Sequence, residues 1–305
     1  MRLLNASGCL DALTAPEAAR TLDVYVTKTV TPLPREGNAP VRIAETEVGM
    51  LNAIGLANPG IDGFVADHLP RLAALEAPLW VSVGGFRVED YVAVASRLDG
   101  CGEIEALELN LSCPNVDEVP ENVGEVVAAV RAVVTKPLYA KLSAAVADLA
   151  ATARAAEAAG ADGLSLVNTV RGLALDERSL APVLARGAGG LSGPALRPVA
   201  LAAVYACRAG TALPIVGMGG VSTGRHVLEL LAAGANDVAI GTALFSDPGA
   251  ATRIRSELEA ESVALGFVSP DNAVAVAHEP GGATLDQKSR LRVEKPLHIS
   301  AKLLG

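Results

Sequence analysis

The sequence predicts a (β/α)8 (TIM) barrel. Three observations carry that expectation: eight short apolar runs alternate with eight stretches of helical period, the runs are apolar at consecutive positions, and glycine turns follow the seventh and eighth. Consecutive apolar positions, as opposed to strict alternation, mark strands covered on both faces of a parallel sheet.

The first run is Arg2–Asn5, followed by Ala6-Ser7-Gly8 and a short helix, Pro16–Arg20, that starts on proline. The second, Asp23–Thr27, ends in Lys28-Thr29 and leads to a helix over Gly63–Leu75. Leu79–Val83 is the third, with a helix over Glu89–Leu98 stopped by Gly100. Ala106–Asn110 and Leu138–Leu142 follow, paired with helices over Val123–Val133 and Val146–Ala159, the latter ending at Gly160. The sixth, Gly163–Val167, precedes a helix over Ala195–Arg208 that stops at Gly210. The last two, Pro214–Gly217 and Asp237–Ile240, lead to helices over Thr223–Ala233 and Pro248–Ala264, with Gly234 closing the former. The same alternation would fit a doubly wound open sheet, but the GxGxxG turn such a sheet needs after its first strand is absent. Thr31–Leu56 is read as an insertion over the active face. Residues 1–277 are expected to form one barrel, and 278–305 a polar, loosely attached tail.

Composition narrows the function classes. Of 305 residues 50% are hydrophobic and 19% charged, which excludes a disordered chain. A net charge of −9 argues against a nucleic-acid or anionic-membrane surface. No apolar run approaches the roughly 18 residues of a membrane span, and the N-terminus lacks the pattern of a secretory signal, so a cytoplasmic protein is expected. Four cysteines are too few for a disulfide scaffold, and no C-x-x-C pair or histidine spacing suits a metal.

Barrel active sites lie at the C-terminal strand ends. Here those ends hold Ser7, Lys28-Thr29, Ser82, Asn110, Lys141, Asn168-Thr169, Gly219-Gly220 and Gly241-Thr242. Glycine lets backbone N–H groups close on a phosphate, and two such turns side by side favour a phosphate site over simple tight turns. Gly189–Pro194 adds a third flexible turn. Lys28 and Lys141 would supply the positive field an anionic ligand needs, although either alone could snorkel to solvent. Cys113, in Asn110-Leu111-Ser112-Cys113-Pro114-Asn115, is either a buried inert thiol or a base, with asparagines around it that could read a heteroatom-rich ring. Cys9, Cys101 and Cys207 are read as inert.

The segments NASG (5–8), VTKT (26–29), REGNAPVRIAETEVGMLNAIGLANPG (35–60), ELNLSCPN (108–115), AKLS (140–143), LVNT (166–169), GGLSGPALRPVAL (189–201), GMGGV (217–221) and AIGTALF (239–245) resemble class 1 dihydroorotate dehydrogenases, most closely the B-type catalytic subunit. The resemblance implies oxidation of dihydroorotate to orotate in pyrimidine biosynthesis, with Cys113 as the base. It implies FMN contacts at Ser7, Lys28, Thr29, Asn110, Lys141, Val167, Gly193, Gly219, Gly220, Gly241 and Thr242. Pyrimidine contacts are implied at Lys28, Asn52, Ala53, Ile54, Gly55, Leu56, Asn110, Asn115, Asn168 and Thr169. It further implies a partner subunit carrying FAD and a 2Fe–2S cluster, and a homodimer or heterotetramer. Two departures stand out: Ser82 replaces the asparagine common near the flavin, and 116–124 replaces the family's glycine-rich loop. An FMN reductase for another dihydropyrimidine, and a flavin-free phosphate-binding lyase or isomerase, stay open at this point.

Overall fold

In the computed structural model, residues 1–75, 77–111 and 122–279 are described. Their central feature is an eight-stranded parallel sheet. Its strands are β1 (Leu3–Asn5), β2 (Tyr25–Val26), β5 (Leu79–Val83), β6 (Ile104–Asn110), β7 (Leu138–Ser143), β8 (Gly163–Asn168), β11 (Ile215–Met218) and β12 (Asp237–Ile240). They run in the order β1-β12-β11-β8-β7-β6-β5-β2, and a parallel bridge between Leu4 and Val24 joins the two ends into a barrel. All eight expected strands are present, so the open-sheet alternative falls. Helices Val88–Asp99, Val123–Arg131, Leu149–Ala158, Arg197–Arg208, Gly224–Ala232 and Ala250–Ala264 cover the outside. Among the described residues no helix is long and apolar enough to cross a membrane.

Each strand is buried on both faces, and alternation decides which face a residue serves. Leu107, Leu109, Leu138, Ala140, Leu142, Leu164 and Leu166 pack outward with the helices. Leu4, Val24, Val26, Trp80, Ala106, Tyr139, Val216, Met218 and Ala239 form a separate cluster inside the barrel. The Trp80 and Tyr139 rings, 4.3 Å apart between centroids, plug one end. Gly163 makes that possible, because a Cβ there would lie 2.3 Å from the Tyr139 ring. A filled interior is what an eight-stranded barrel requires.

Barrel closure is chemically unusual at one seam. Backbone pairing between β1 and β2 ends after Asp23 N–H donates to Leu3 O at 2.9 Å and the Leu4–Val24 bridge. Beyond it the fully buried Asn5 side chain takes over: its Nδ2 donates to Val26 O at 2.7 Å, and its Oδ1 accepts from Val26 N–H at 2.8 Å. One amide thus satisfies both inward backbone groups of Val26 where the strands part toward the mouth.

The region expected to be a plain insertion contains structure of its own. β3 (Ile43–Thr46) and β4 (Gly49–Asn52) form a hairpin, and β9 (Val170–Gly172) and β10 (Gly189–Ser192) complete an antiparallel sheet ordered β3-β4-β10-β9. Gly189–Pro194, expected as a flexible turn, therefore supplies a strand and the Gly193 bend that follows it. Leu51, Ala53, Ala44 and Leu184 make this sheet's own small core. Of the tail read from 278, only His278 and Glu279 lie within the described residues. His278 stacks on Tyr205 with ring centroids 4.1 Å apart.

Replacing Asn5 with alanine leaves two buried backbone groups of Val26 without partners. An unmet buried group costs about 1–3 kcal/mol, so Asn5→Ala should lower stability by about 2–4 kcal/mol in urea unfolding. A loss below about 0.5 kcal/mol would show that the seam does not rely on this amide.

Candidate active site

The C-terminal strand ends enclose one deep cleft, roofed on one side by the small sheet. The barrel contributes Ala6, Ser7, Lys28, Thr29, Asn110, Lys141, Val167, Asn168, Thr169, Met218, Gly219, Gly220, Gly241 and Thr242 to its wall. From β4, β10 and the segments after them come Met50, Asn52, Ile54, Gly55, Leu56, Ser192 and Gly193. The residues that the resemblance implies as FMN contacts, pyrimidine contacts and base thus converge on one surface. There are three exceptions. Ala53 is 1% exposed and turned into the small sheet's core, its N–H donating to Arg42 O. Cys113 and Asn115 lie outside the described residues.

A chain of side-chain hydrogen bonds crosses the cleft floor. Asn168 Nδ2 donates to Asn110 Oδ1 at 3.0 Å, and Asn110 Nδ2 donates to Thr29 Oγ1 at 3.2 Å. Thr29 Oγ1 lies 3.0 Å from Ser82 Oγ and 3.5 Å from Ser7 Oγ, while Ser7 Oγ donates to Thr27 O. Ser82, placed at the rim by sequence, is fully buried beneath Thr29 and supports it without lining the cleft. Asn168 reaches the floor through a bulge: Leu142 pairs with Leu166 but Ser143 with Asn168, so Val167 is an extra residue and both it and Asn168 border the cleft.

Two cations and no carboxylate line the cleft among the described residues, in a chain of net charge −9. Lys28 passes so close to Gly8 that a Cβ there would stand 2.8 Å from its Cδ. Lys141 is 5% exposed, and its Nζ is 3.4 Å from Glu108 Oε1.

The glycines divide by what surrounds them. Gly220 has φ +69°, and a Cβ there would lie 2.7 Å from Arg197 Cβ and 2.9 Å from Gly193 O, so this turn admits only glycine. Behind the turn, His226 Nδ1 accepts from Ser222 N–H at 3.2 Å, and burial together with Arg197 lowers the imidazole below its ordinary range. Gly241 differs. A Cβ there would meet only Ala6 and Cys9, at 3.5 and 3.7 Å, both cleft residues.

Several wall residues escaped the sequence reading. Cys9, read as inert, borders the cleft; burial pushes its thiol up, partly offset by Lys141 and Lys28. Ile43, Met50, Leu196, Met218 and Phe245 are apolar wall, with no motif to reveal them. Leu56 has φ +58°, a left-handed conformation rare for leucine; Asn58 Nδ2 holds its carbonyl at 2.7 Å.

The dihydroorotate dehydrogenase family model matches residues 2–261. The chain belongs to the dihydroorotate dehydrogenase family. It is 45% identical over 268 residues to the "Dihydroorotate dehydrogenase B (NAD(+)), catalytic subunit" of Desulforudis audaxviator, covering 86% of this chain and 87% of that protein. The identically named protein of Listeria monocytogenes is 46% identical over 255 residues, covering 81% and 84%. That of Anoxybacillus flavithermus is 44% identical over 277 residues, covering 87% and 88%. A crystal structure of DHODH from Eimeria tenella in complex with ferulenol shares the fold, with a TM-score of 0.78, 22% identity, and coverage of 91% and 85%.

Thr29→Val keeps the side-chain shape but removes the hydroxyl that links Ser82, Asn110 and Ser7. Stability should fall by about 1–3 kcal/mol, and urea unfolding measures it. A neutral result would mean that these groups find other partners.

Proposed function

We propose that this protein binds FMN in the barrel-mouth cleft and oxidises dihydroorotate to orotate, with Cys113 as the base. The observation that carries this reading is the charge of the cleft: Lys28 and Lys141 are its only charged lining among the described residues. Both the phosphate of FMN and the carboxylate of dihydroorotate are anions that such a cleft would attract. The family relationship supplies the reaction.

The chain's residues fit the cofactor. Gly219-Gly220 and Gly241-Thr242 stand on adjacent strands, β11 and β12, and offer close backbone approach to a phosphate. At Gly241 the wall lacks only a side chain, which leaves room for a ligand. Lys141 is assigned to the N1/O2 edge of the ring, where a fixed cation stabilises developing negative charge. Asn52, Asn110, Asn168 and Thr169 offer donors and acceptors to a pyrimidine, with Ile54, Gly55 and Leu56 beside them. When bound, FMN supplies the hydride acceptor for C6 of the substrate.

The chain's own chemical step is the removal of the C5 proton by the Cys113 thiolate, which becomes a thiol. The C5–H electron pair becomes the new C5=C6 bond as the C6 hydride departs. Cys9 is poorly suited to this task, because burial holds its thiol protonated. The relatives' names, catalytic subunits of B-type NAD(+) enzymes, support a partner subunit; that the partner carries FAD and a 2Fe–2S cluster and passes electrons to NAD rests on the family resemblance alone.

Gly241→Val should fold normally and purify with most of its FMN lost, since the added side chain meets ordinary contacts in the protein but takes ligand space. Gly220 would be the poorer test, because substitution there distorts the turn itself. Stoichiometric FMN in Gly241→Val would contradict the placement.

Cys113→Ala should retain FMN yet lose about 10²–10⁴ in the rate of anaerobic flavin reduction by dihydroorotate, the usual worth of a general base. The wild-type rate should climb with rising pH as the thiolate forms. Cys9→Ala should leave that profile in place. Equal stopped-flow rates for wild type and Cys113→Ala would remove Cys113 from the mechanism.

A further inference from the structure

A charged pair is buried inside the barrel, directly behind the cleft. Glu108 on β6 is 2% exposed, and its Oε1 lies 3.4 Å from Nζ of Lys141 on β7. Glu108 alternates with the outward-packed Leu107 and Leu109, and Lys141 with Ala140 and Leu142, so both belong to the barrel interior. Their strands are adjacent, with Asn110 in register with Lys141 and Glu108 with Tyr139. Lys141 lines the cleft and Glu108 does not. The carboxylate therefore contacts the lysine from behind, on the side away from any ligand.

Among the described residues, the surroundings offer this carboxylate little help. Nearby inward residues are Ala106, Ser82 and Tyr139, and Ser165, in register with Lys141 on β8, buries a hydroxyl with no hydrogen-bond partner among the described residues. A buried ion pair in such a setting is weak evidence for stability, since apolar residues of similar size commonly serve as well. Its clearest physical effect is on the charge that Lys141 presents. With Glu108 behind it, the pair is neutral as a whole and acts on the cleft as a dipole with its positive end forward. Removing that carboxylate would raise the positive charge that Lys141 presents in a poorly solvated interior, where charges act strongly.

We propose that Glu108 is a positioning residue that acts through Lys141, limiting how strongly the cleft stabilises negative charge on the bound flavin. The consequence is a flavin that gives up its electrons more readily than it would with the Glu108 carboxylate removed from behind Lys141. This inference rests on the assignment of Lys141 to the N1/O2 edge of FMN.

The test uses FMN-loaded protein and inorganic sulfite, which adds to N5 of oxidised flavin and leaves negative charge at the N1/O2 edge. Sulfite affinity therefore reports the positive charge there, and the flavin midpoint potential reports it independently. Glu108→Gln should bind sulfite about tenfold more tightly or better and have a more positive potential, as expected for an unmasked charge. Lys141→Met should shift both quantities the other way. If Glu108 served only to hold Lys141 in place, Glu108→Gln would instead shift in the same direction as Lys141→Met. That result, or no change in either readout, overturns the proposal. Should Glu108→Gln fail to fold, Glu108→Met, an apolar near-isostere, carries the same expectation. Misfolding of both would make Glu108 purely structural and likewise overturn it. A wild-type protein that takes up no FMN would defeat the flavin reading itself, whereas a flavin-loaded wild type with unresponsive Glu108 variants defeats only this inference.

Discussion

Closure of the barrel at the β1–β2 seam is the constraint on which the rest of the structure depends. A cylinder of parallel strands has no free edge, but here the strands must also part at one end to leave a mouth. The backbone ladder cannot do both, because every carbonyl and N–H freed inside the protein needs a partner. Asn5 resolves the conflict by offering a donor and an acceptor from one side chain to Val26. Just past this seam stand Ser7 and, on the neighbouring strand, Lys28 and Thr29, all part of the cleft. Closing the barrel and building this part of the cleft wall are the same local event.

From that seam the polar network spreads by necessity. Thr29 needs partners for its buried hydroxyl and has Ser82 below and Asn110 beside it; Asn110 in turn is met by Asn168. Each amide is thereby fixed in orientation before any ligand arrives, which is the preorganisation that binding and catalysis require. Below this layer the interior turns apolar down to Trp80 and Tyr139, and Glu108–Lys141 lies on the boundary between the two zones.

Much of this was legible in the sequence because the relevant signals are local. Runs such as LWVSV (79–83) and LYAKLS (138–143) carry their strand assignment within five or six residues, and a strand's end identifies the side chain that faces the mouth. The small sheet was not legible for the opposite reason. β4 and β10 pair through Leu51–Leu191 contacts across some 140 positions, and GGLS (189–192) reads as a turn until its partner is known. Glu108 was passed over because an acidic residue within an apolar strand has no pattern of its own; only the register with β7 reveals Lys141 beside it. Apolar wall residues such as Met218 and Leu196 are indistinguishable from core until the cleft is seen.

Taken together, two lysines and no carboxylate among the described residues, amides locked across the floor, and paired glycine turns make one coherent cleft, and it suits the anionic flavin and pyrimidine proposed above. The most direct test is a single-turnover stoichiometry on the purified wild-type protein. Dihydroorotate added without oxygen should bleach the flavin absorbance near ~450 nm and yield one orotate per flavin, the cofactor carrying the redox chemistry. Protein that purifies without flavin, or with a flavin that dihydroorotate leaves oxidised, would contradict the account.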